Sequence, residues 1–286
     1  MSETTCLNCP LRALPLFLSH TEEELTLVQQ LKRRELVLQE GETLIHEGES
    51  DTRLYTLLQG WGYRFKTLSD GRRQILNFLL AGDFIGVQQK MSDAAAHGVV
   101  MLTEARLCVF DRNALWDLHR HQPSMGFNIT WLTAHEESLV DDNLLSIGRR
   151  SAEERVATLL ILLYKRAAAL RGLADPAAHE GALGVIFPLT QQHVADALGL
   201  SLAHTNKTLR KLQRRGLYSD AQPVQTHRSR GISTVFSTGV EIFGKRPNAH
   251  AVGWVRFLFQ AGLLDARTQT LTQYAGHANG HSSTWK

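Results

Sequence analysis

Between residues 36 and 111, short runs of β-branched, aromatic and leucine side chains alternate with turn signals at nearly even spacing: Glu40-Gly41, Glu47-Gly48-Glu49, Gln59-Gly60, Ser69-Asp70-Gly71 and Ala81-Gly82-Asp83. Runs this short fit strands, and turns this frequent fold each strand back on the last, so the segment predicts an all-β barrel or jelly roll. Within it Trp61, Tyr63 and Phe65 alternate with Gly62, Arg64 and Lys66, the period of a half-buried strand. That strand leads to a hairpin at Ser69-Asp70-Gly71 and a returning strand, Gln74-Ile75-Leu76-Asn77-Phe78-Leu79-Leu80.

After Asp111 the period becomes helical. From Pro123 to Arg150 no further proline interrupts the chain, and Ile129, Leu132, Leu139 and Ile147, with His135 or Glu136 and Asn143 between them, keep close to coiled-coil spacing. Such a stripe packs either on a second copy of itself, which makes Ile129, Leu132, Leu139, Asn143 and Ile147 the candidate dimer seam, or on its own barrel. Ser151-Ala152-Glu153-Glu154 opens the next helix, with Ser151 as cap and Glu154 three residues on. It runs through Val156, Leu159, Leu160 and Leu163 towards Arg171, and residues 172–184, rich in Gly, Ala and Pro, form a loop.

Beyond the loop, Thr190 caps a short helix carrying Val194 and Leu198 inward, Gly199 supplies a tight turn, and Ser201 caps a second helix that Gly216 ends. At about 3.6 residues per turn, Thr205, Leu209 and Leu212 share one side of the second helix, and Ala203, Lys207, Arg210 and Arg214 lie opposite. This is a helix-turn-helix: one face locks the helix to its domain and the other is cationic enough to enter the major groove of DNA. A merely solvated basic helix would carry the charges without the caps, the turn and the interlocking apolar positions. Ala203, Asn206 and Lys207 are placed to reach base edges, Asn suiting adenine and Lys guanine. Thr190, Gln192, Ser201, His204, Arg210, Lys211 and Arg214 lie nearer the backbone.

Charge is concentrated where this reading needs it. The net charge is only +3, and residues 220–286 hold seven of the 31 Lys/Arg and three of the 28 Asp/Glu, leaving 24 against 25 elsewhere. Yet residues 197–219 contain Lys207, Arg210, Lys211, Arg214 and Arg215 and no acid. A chain of 286 residues, 43% hydrophobic, has room for two cores. No run approaches the roughly 20 apolar residues that cross a bilayer, and Met1-Ser2-Glu3-Thr4-Thr5 lacks the basic and apolar parts of a signal peptide, so no membrane partner and a cytoplasmic location are expected. Three cysteines cannot all pair, and a reducing cytosol disfavours structural disulfides, so Cys6, Cys9 and Cys108 are read as thiols or metal ligands.

The order of parts and several motifs resemble the Crp/Fnr family of regulators over residues 6 to 218. The carriers are Gly41-Glu42-Thr43-Leu44 with Glu47-Gly48, Leu54-Tyr55-Thr56-Leu57-Leu58-Gln59-Gly60, Asp70-Gly71-Arg72-Arg73-Gln74-Ile75, Ala81-Gly82-Asp83-Phe84-Ile85-Gly86, Ala152-Glu153-Glu154-Arg155 and the helix-turn-helix. The resemblance implies an α+β chain with an N-terminal double-stranded β-helix barrel, jelly-roll and cyclic-nucleotide-binding-like, a long dimerisation helix and a C-terminal winged helix-turn-helix. It implies a homodimeric, sequence-specific transcription regulator that binds a double-stranded DNA operator, contacts RNA polymerase and answers a redox, oxygen or small-molecule signal. The chain then divides into an N-terminal Cys-containing segment (1–20), a sensor barrel (21–121), a dimerisation helix (122–150), a DNA-binding domain (151–219) and an atypical tail (220–286), which is rich in Ser, Thr, Gly and Ala and expected to be poorly ordered.

The sequence also departs from the family. Where cAMP-binding members place a Glu and an Arg-Ser/Thr pair to cradle ribose and phosphate, this chain reads Phe84-Ile85-Gly86-Val87-Gln88-Gln89 and Ala95-Ala96-His97-Gly98-Val99, so cAMP is not expected to bind. Ala203, Asn206 and Lys207 replace the family's common Glu, Ser or Gly, and Arg, which predicts a different half-site. Cys6, Cys9 and Cys108 resemble three of the four ligands of the [4Fe-4S] cluster in oxygen-sensing Fnr proteins, but Pro10-Leu11-Arg12-Ala13-Leu14-Pro15 supplies no third N-terminal thiol. A cluster completed by His20 or a carboxylate, a reactive thiol pair, another metal, and a buried core Cys108 all stand open. Two rivals complete the field: a cupin-like jelly-roll metalloenzyme, for which His46 and His97 stand alone while His119 and His121 lie on a helix, and a dimeric sensor whose reader the unusual tail impairs.

Overall fold

The computed structural model describes residues 3–14, 20–50, 53–87, 94–174, 185, 187–215, 219–220 and 234–235. Two 3-10 turns, Cys6–Asn8 and Pro10–Ala13, precede helix α1 (Glu22–Leu31). Thr21 starts α1 by accepting from the Glu24 amide while the Glu24 carboxylate accepts from the Thr21 amide, so two of the donors orphaned at a helix start are satisfied reciprocally.

Eight strands follow: β1 (Lys32–Leu38), β2 (Thr43–Ile45), β3 (Arg53–Gln59), β4 (Gly62–Thr67), β5 (Arg73–Leu79), β6 (Phe84–Ile85), β7 (Gly98–Met101) and β8 (Ala105–Asp111). They pair antiparallel into two four-stranded sheets, in the orders β1-β8-β3-β6 and β2-β7-β4-β5, the expected jelly roll. Ile45, Tyr55, Leu57, Leu79, Val99, Met101 and Leu107 fill the space between the sheets. Each such side chain contributes about 1.5–3 kcal/mol on burial. Gly60 (φ 104°) marks a close approach: a Cβ there would lie 2.5 Å from the Glu104 carbonyl oxygen.

Helix α2 (Ala114–His121) leads to α3 (Pro123–Arg149), which begins at a proline, and to α4 (Ala152–Ala174). Ser151 and Glu154 form the predicted box, the Ser151 amide donating to the Glu154 carboxylate at 2.7 Å. Helices α5 (Gln191–Leu198) and α6 (Leu202–Arg214) come next, then a two-stranded ribbon of β9 (Ser219–Asp220) and β10 (Thr234–Val235). The sequence pattern marked no strand after residue 219; the rest of the tail, Gly216 and residues 175–184 lie outside the described residues.

The barrel and the helix-turn-helix share one apolar core. Tyr63, Ile75, Phe78 and Leu80 meet Val156, Leu160, Leu163, Phe187, Val194 and Leu209. This corrects the half-buried reading of β4: Gly62, Tyr63 and Arg64 are all buried, Tyr63 under His193 of α5 and, on the other face, Gly62 against Met101 and Arg64 beside Glu136 of α3.

Candidate nucleic-acid interface

Helices α5 and α6 are built by local signals. The Thr190 hydroxyl accepts from the His193 amide at 3.1 Å while His193 Nδ1 accepts from the Thr190 amide at 3.1 Å, so His takes the place a Glu or Gln usually holds in this cap. Gly199 ends α5 in the left-handed region (φ 62°), and the Ser201 hydroxyl starts α6 by accepting from the His204 amide at 3.2 Å. Thr205, Leu209 and Leu212 are buried as predicted, and Thr208 joins them. Ala203, His204, Lys207, Arg210, Lys211 and Arg214 are exposed, as is Gln192 on α5; Asn206 and Thr190 are half-buried. An open depression runs along α6, lined by Ala203, Asn206, Lys207, Arg210, Gln213 and Arg214. Gln213 is an addition, recognisable in the sequence only from its helical position. Lys211 is drawn instead towards α4, where Nζ lies 2.5 Å from Glu153 Oε2 and Arg215 pairs with the same carboxylate. The Lys211 hydrogen bond, against the effect of burial, holds the Glu153 carboxyl below its ordinary range.

The five seam residues on α3 are half-buried within this one chain. Leu132 and Leu139 line a small cleft with Gly82, Asp83, Phe84 and Arg166, so they face the barrel and α4. Other apolar residues of α3 stay exposed: Phe127, Trp131, Leu145, Val140 (38%) and Leu144 (69%).

Cys9 and Cys108 lie where the N-terminal turns pack on β8 and α4, and Cys6 is buried beside α1, its amide donating to Gln29 Oε1 at 2.8 Å. Cys108 belongs to a cluster with Leu11, Leu14 and Leu58, flanked by Cys9, Phe110 and Leu170. Buried Lys32 lies close enough to oppose the rise in all three thiol pKa values, its Nζ donating to Thr4 O at 2.7 Å and Glu35 Oε1 at 2.9 Å. Burial nonetheless wins, raising the Cys6 and Cys9 thiols and pushing Cys108 up to about 12. His20, a candidate fourth ligand, has its pKa lowered by burial. Among the described residues no group of three or more His, Cys, Asp or Glu is arranged to hold a metal ion. His46 is exposed, and His97 is buried, its pKa lowered to about 4 by burial and by Arg64 and Lys66. His119 and His121 bond their own helix, each Nδ1 meeting a carbonyl four residues back. No helix among the described residues is long and apolar enough to cross a membrane.

These parts agree with what the chain is similar to. A model of the cyclic nucleotide-binding domain family matches residues 35–122 and one of the Crp-like helix-turn-helix domain family matches 154–227. The nitrogen fixation regulation protein FixK of Bradyrhizobium diazoefficiens is 32% identical over 211 residues, covering 74% of this chain and 84% of that protein. The transcriptional activatory protein AadR of Rhodopseudomonas palustris is 34% identical over 62% of this chain and 70% of its own. The solved structure of FixK2 from Bradyrhizobium japonicum superposes with a TM-score of 0.58 at 22% identity, covering 75% of this chain and 98% of that one, and shows the same fold. Regulators rather than enzymes are the relatives, which favours DNA binding over the metalloenzyme reading. With its barrel, its capped helix-turn-helix and these relatives, the chain belongs to the Crp/Fnr family of transcription regulators.

Proposed function

We propose that this regulator binds, as a homodimer, an operator of two half-sites, each read by the exposed face of α6. The observation that carries the reading is the separation on α6 of exposed Ala203, Lys207, Arg210 and Arg214 from buried Thr205, Thr208, Leu209 and Leu212. Ala203, Asn206 and Lys207 read base edges; Thr190, Gln192, Ser201, His204, Arg210, Lys211 and Arg214 serve the backbone, with Lys211 first released from Glu153. Helix α3 joins the two copies. At about 100° per residue, Ile129, Val140, Leu144 and Ile147 fall within about 60° of one another, so the seam centres there, with Asn143 at its edge and Leu132 and Leu139 turned to the barrel. The division at residues 20, 121, 150 and 219, contact with RNA polymerase and a cytoplasmic location complete the proposal.

The residues around Cys6, Cys9 and Cys108 do not fit a [4Fe-4S] cluster. Four thiolates are the usual ligands, whereas three cysteines stand here, and among the described residues no group of three or more His, Cys, Asp or Glu is arranged to hold a metal ion. The packing of Cys9 and Cys108 against Leu170 of α4 favours a thiol signal instead: Cys6 and Cys9, against the burial that disfavours their thiolates, lose two electrons and two protons to an oxidant such as hydrogen peroxide, which leaves as water, and form a disulfide that reshapes the contact with α4. cAMP has no arginine to hold its phosphate in Ala95-Ala96-His97-Gly98-Val99; Gln88 and Gln89 lie outside the described residues.

Selection of duplexes from a random pool by the full-length protein tests the central reading. Enrichment of a two-fold symmetric site is the expected result. Recovery of no sequence above random would overturn it in favour of a dimeric sensor with an impaired reader. For the thiols, Cys6→Ser or Cys9→Ser should abolish a peroxide-induced, reductant-reversed change in operator affinity, whereas Cys108→Ser should keep it; Cys6 and Cys9 variants that respond like the unaltered protein would end the redox reading.

A further inference from the structure

Arg73, just past the turn of the β4-β5 hairpin, reaches out of the barrel into the helix-turn-helix. Its Nε and Nη2 donate to Asp196 Oδ2 on α5 at 2.9 and 2.7 Å, Nη1 donates to the Tyr63 hydroxyl, and the guanidinium lies 4.8 Å from the Tyr63 ring centre. Both charged side chains are largely enclosed, 29% and 13% exposed. Beside them Gln74 Nε2 donates to the Ala197 carbonyl at 3.1 Å, and the His193 ring packs on Tyr63 at 5.4 Å. The other Asp196 oxygen accepts from Gln192 Nε2 at 2.6 Å, so one carboxylate ties a barrel guanidinium to a side chain on the DNA side of α5. A planar guanidinium with several donors can hold carboxylate, phenol and ring together; an ammonium cannot.

We propose that Arg73 is a positioning residue for DNA binding, fixing the tilt of α5 on the barrel and through it the spacing of the two α6 helices in a dimer, without itself touching DNA. The proposal rests on the two-half-site reading above. Only Arg150 and Ser151 separate α3 from α4, so the helix-turn-helix of each copy pivots at that joint unless it is docked. Half-sites lie about 34 Å apart, and two readers held at that spacing bind the second half-site at a high effective concentration that a loose joint dilutes. A second bond, from Arg166 Nη2 to both Asp83 oxygens at 2.7 and 2.6 Å, holds α4 to the barrel and remains when Arg73 is changed.

The test compares full-length protein on two duplexes taken from the selected pool, one with both half-sites and one with a single half-site. Arg73→Ala should weaken binding to the two-half-site duplex about tenfold and leave the single half-site within about twofold. Arg73→Lys should behave like Arg73→Ala, because the charge survives without the fork. Asp196→Asn should lower the ratio of the two affinities to the same degree, and adding Arg73→Ala to it should lower that ratio no further, since both act through one bond. Equal loss on both duplexes, or no loss from either Arg73 variant, overturns the proposal. A different result, in which the unaltered protein itself prefers neither duplex, defeats the dimer reading beneath it.

Discussion

Helices α6 and α3 carry the two surfaces proposed to meet DNA and a second copy, and they present their apolar residues in opposite ways. In α6 Thr205, Thr208, Leu209 and Leu212 are buried and the bases on the far side are exposed, so a single stripe has a single place to go. In α3 Leu132 and Leu139 are half-buried against the barrel cleft while Phe127, Trp131, Val140, Leu144 and Leu145 remain exposed. A helix with apolar residues all round is one that is covered on more than one side. Periodicity therefore identifies the buried face of α6 outright, but in α3 it cannot distinguish the side that meets its own barrel from the side proposed to meet a second copy.

The sharpest way to break this contrast is a charge on each side of α3. Leu144→Glu should dissociate the dimer in sedimentation experiments, leave thermal unfolding of the chain nearly unchanged, and weaken operator binding by about a hundredfold or more, because the half-sites lose their linkage. Leu132→Glu should instead lower stability by about 1–3 kcal/mol, from an unpaired charge placed against the barrel. A Leu144→Glu protein that stays dimeric would move the seam elsewhere. On α6 the expected effects are smaller. Lys207→Ala or Asn206→Ala should cost about 1–3 kcal/mol against the selected operator and little against random DNA, whereas Arg214→Ala should weaken both alike and reduce the salt dependence by about one counterion. Binding titrations on both DNAs check this, and equal losses from all three would remove the division between base and backbone contacts.

Those expectations follow from features of unequal legibility. The caps at Thr190 and Ser201, the left-handed Gly199 and the inward Val194, Leu198, Leu209 and Leu212 are local, so each is written within a few residues of where it acts. The barrel was legible for the same reason, since its turns punctuate it. What joins the halves was not. Arg73 and Asp196 stand 123 residues apart, and in sequence each is an ordinary surface charge. The burial of β4 on both faces depends on α5 against Tyr63 and on Glu136 of α3 beside Arg64, both far along the chain, and so contradicts the local alternation of Trp61, Tyr63 and Phe65 with Gly62, Arg64 and Lys66. The pairing of Thr234–Val235 with Ser219–Asp220 likewise shows no signal in its own composition.

The smallest expected effect concerns the buttress behind α6, where charge rather than shape sets the boundary between the two kinds of surface. Glu153 holds Lys211 and Arg215 on the α4 side, and Lys211 is 57% exposed, so the pair is wetted and worth at most about 1 kcal/mol. The folded protein keeps the Glu153 carboxyl below its ordinary range, with the Lys211 hydrogen bond as the largest cause. A lowered folded pKa means that the stabilisation is complete above the unfolded value of about 4.3 and is lost as pH falls through the folded value. Glu153→Gln should therefore melt slightly earlier than the unaltered protein at neutral pH, and the gap should close in acid. DNA binding should move the other way. With its carboxylate partner gone, Lys211 is free to meet a phosphate, so affinity for any duplex at low salt should rise, and the salt dependence should steepen by about one counterion. A Glu153→Gln protein that binds DNA more weakly would show that Lys211 acts by bracing α6 against α4, and would remove it from the residues that face the backbone.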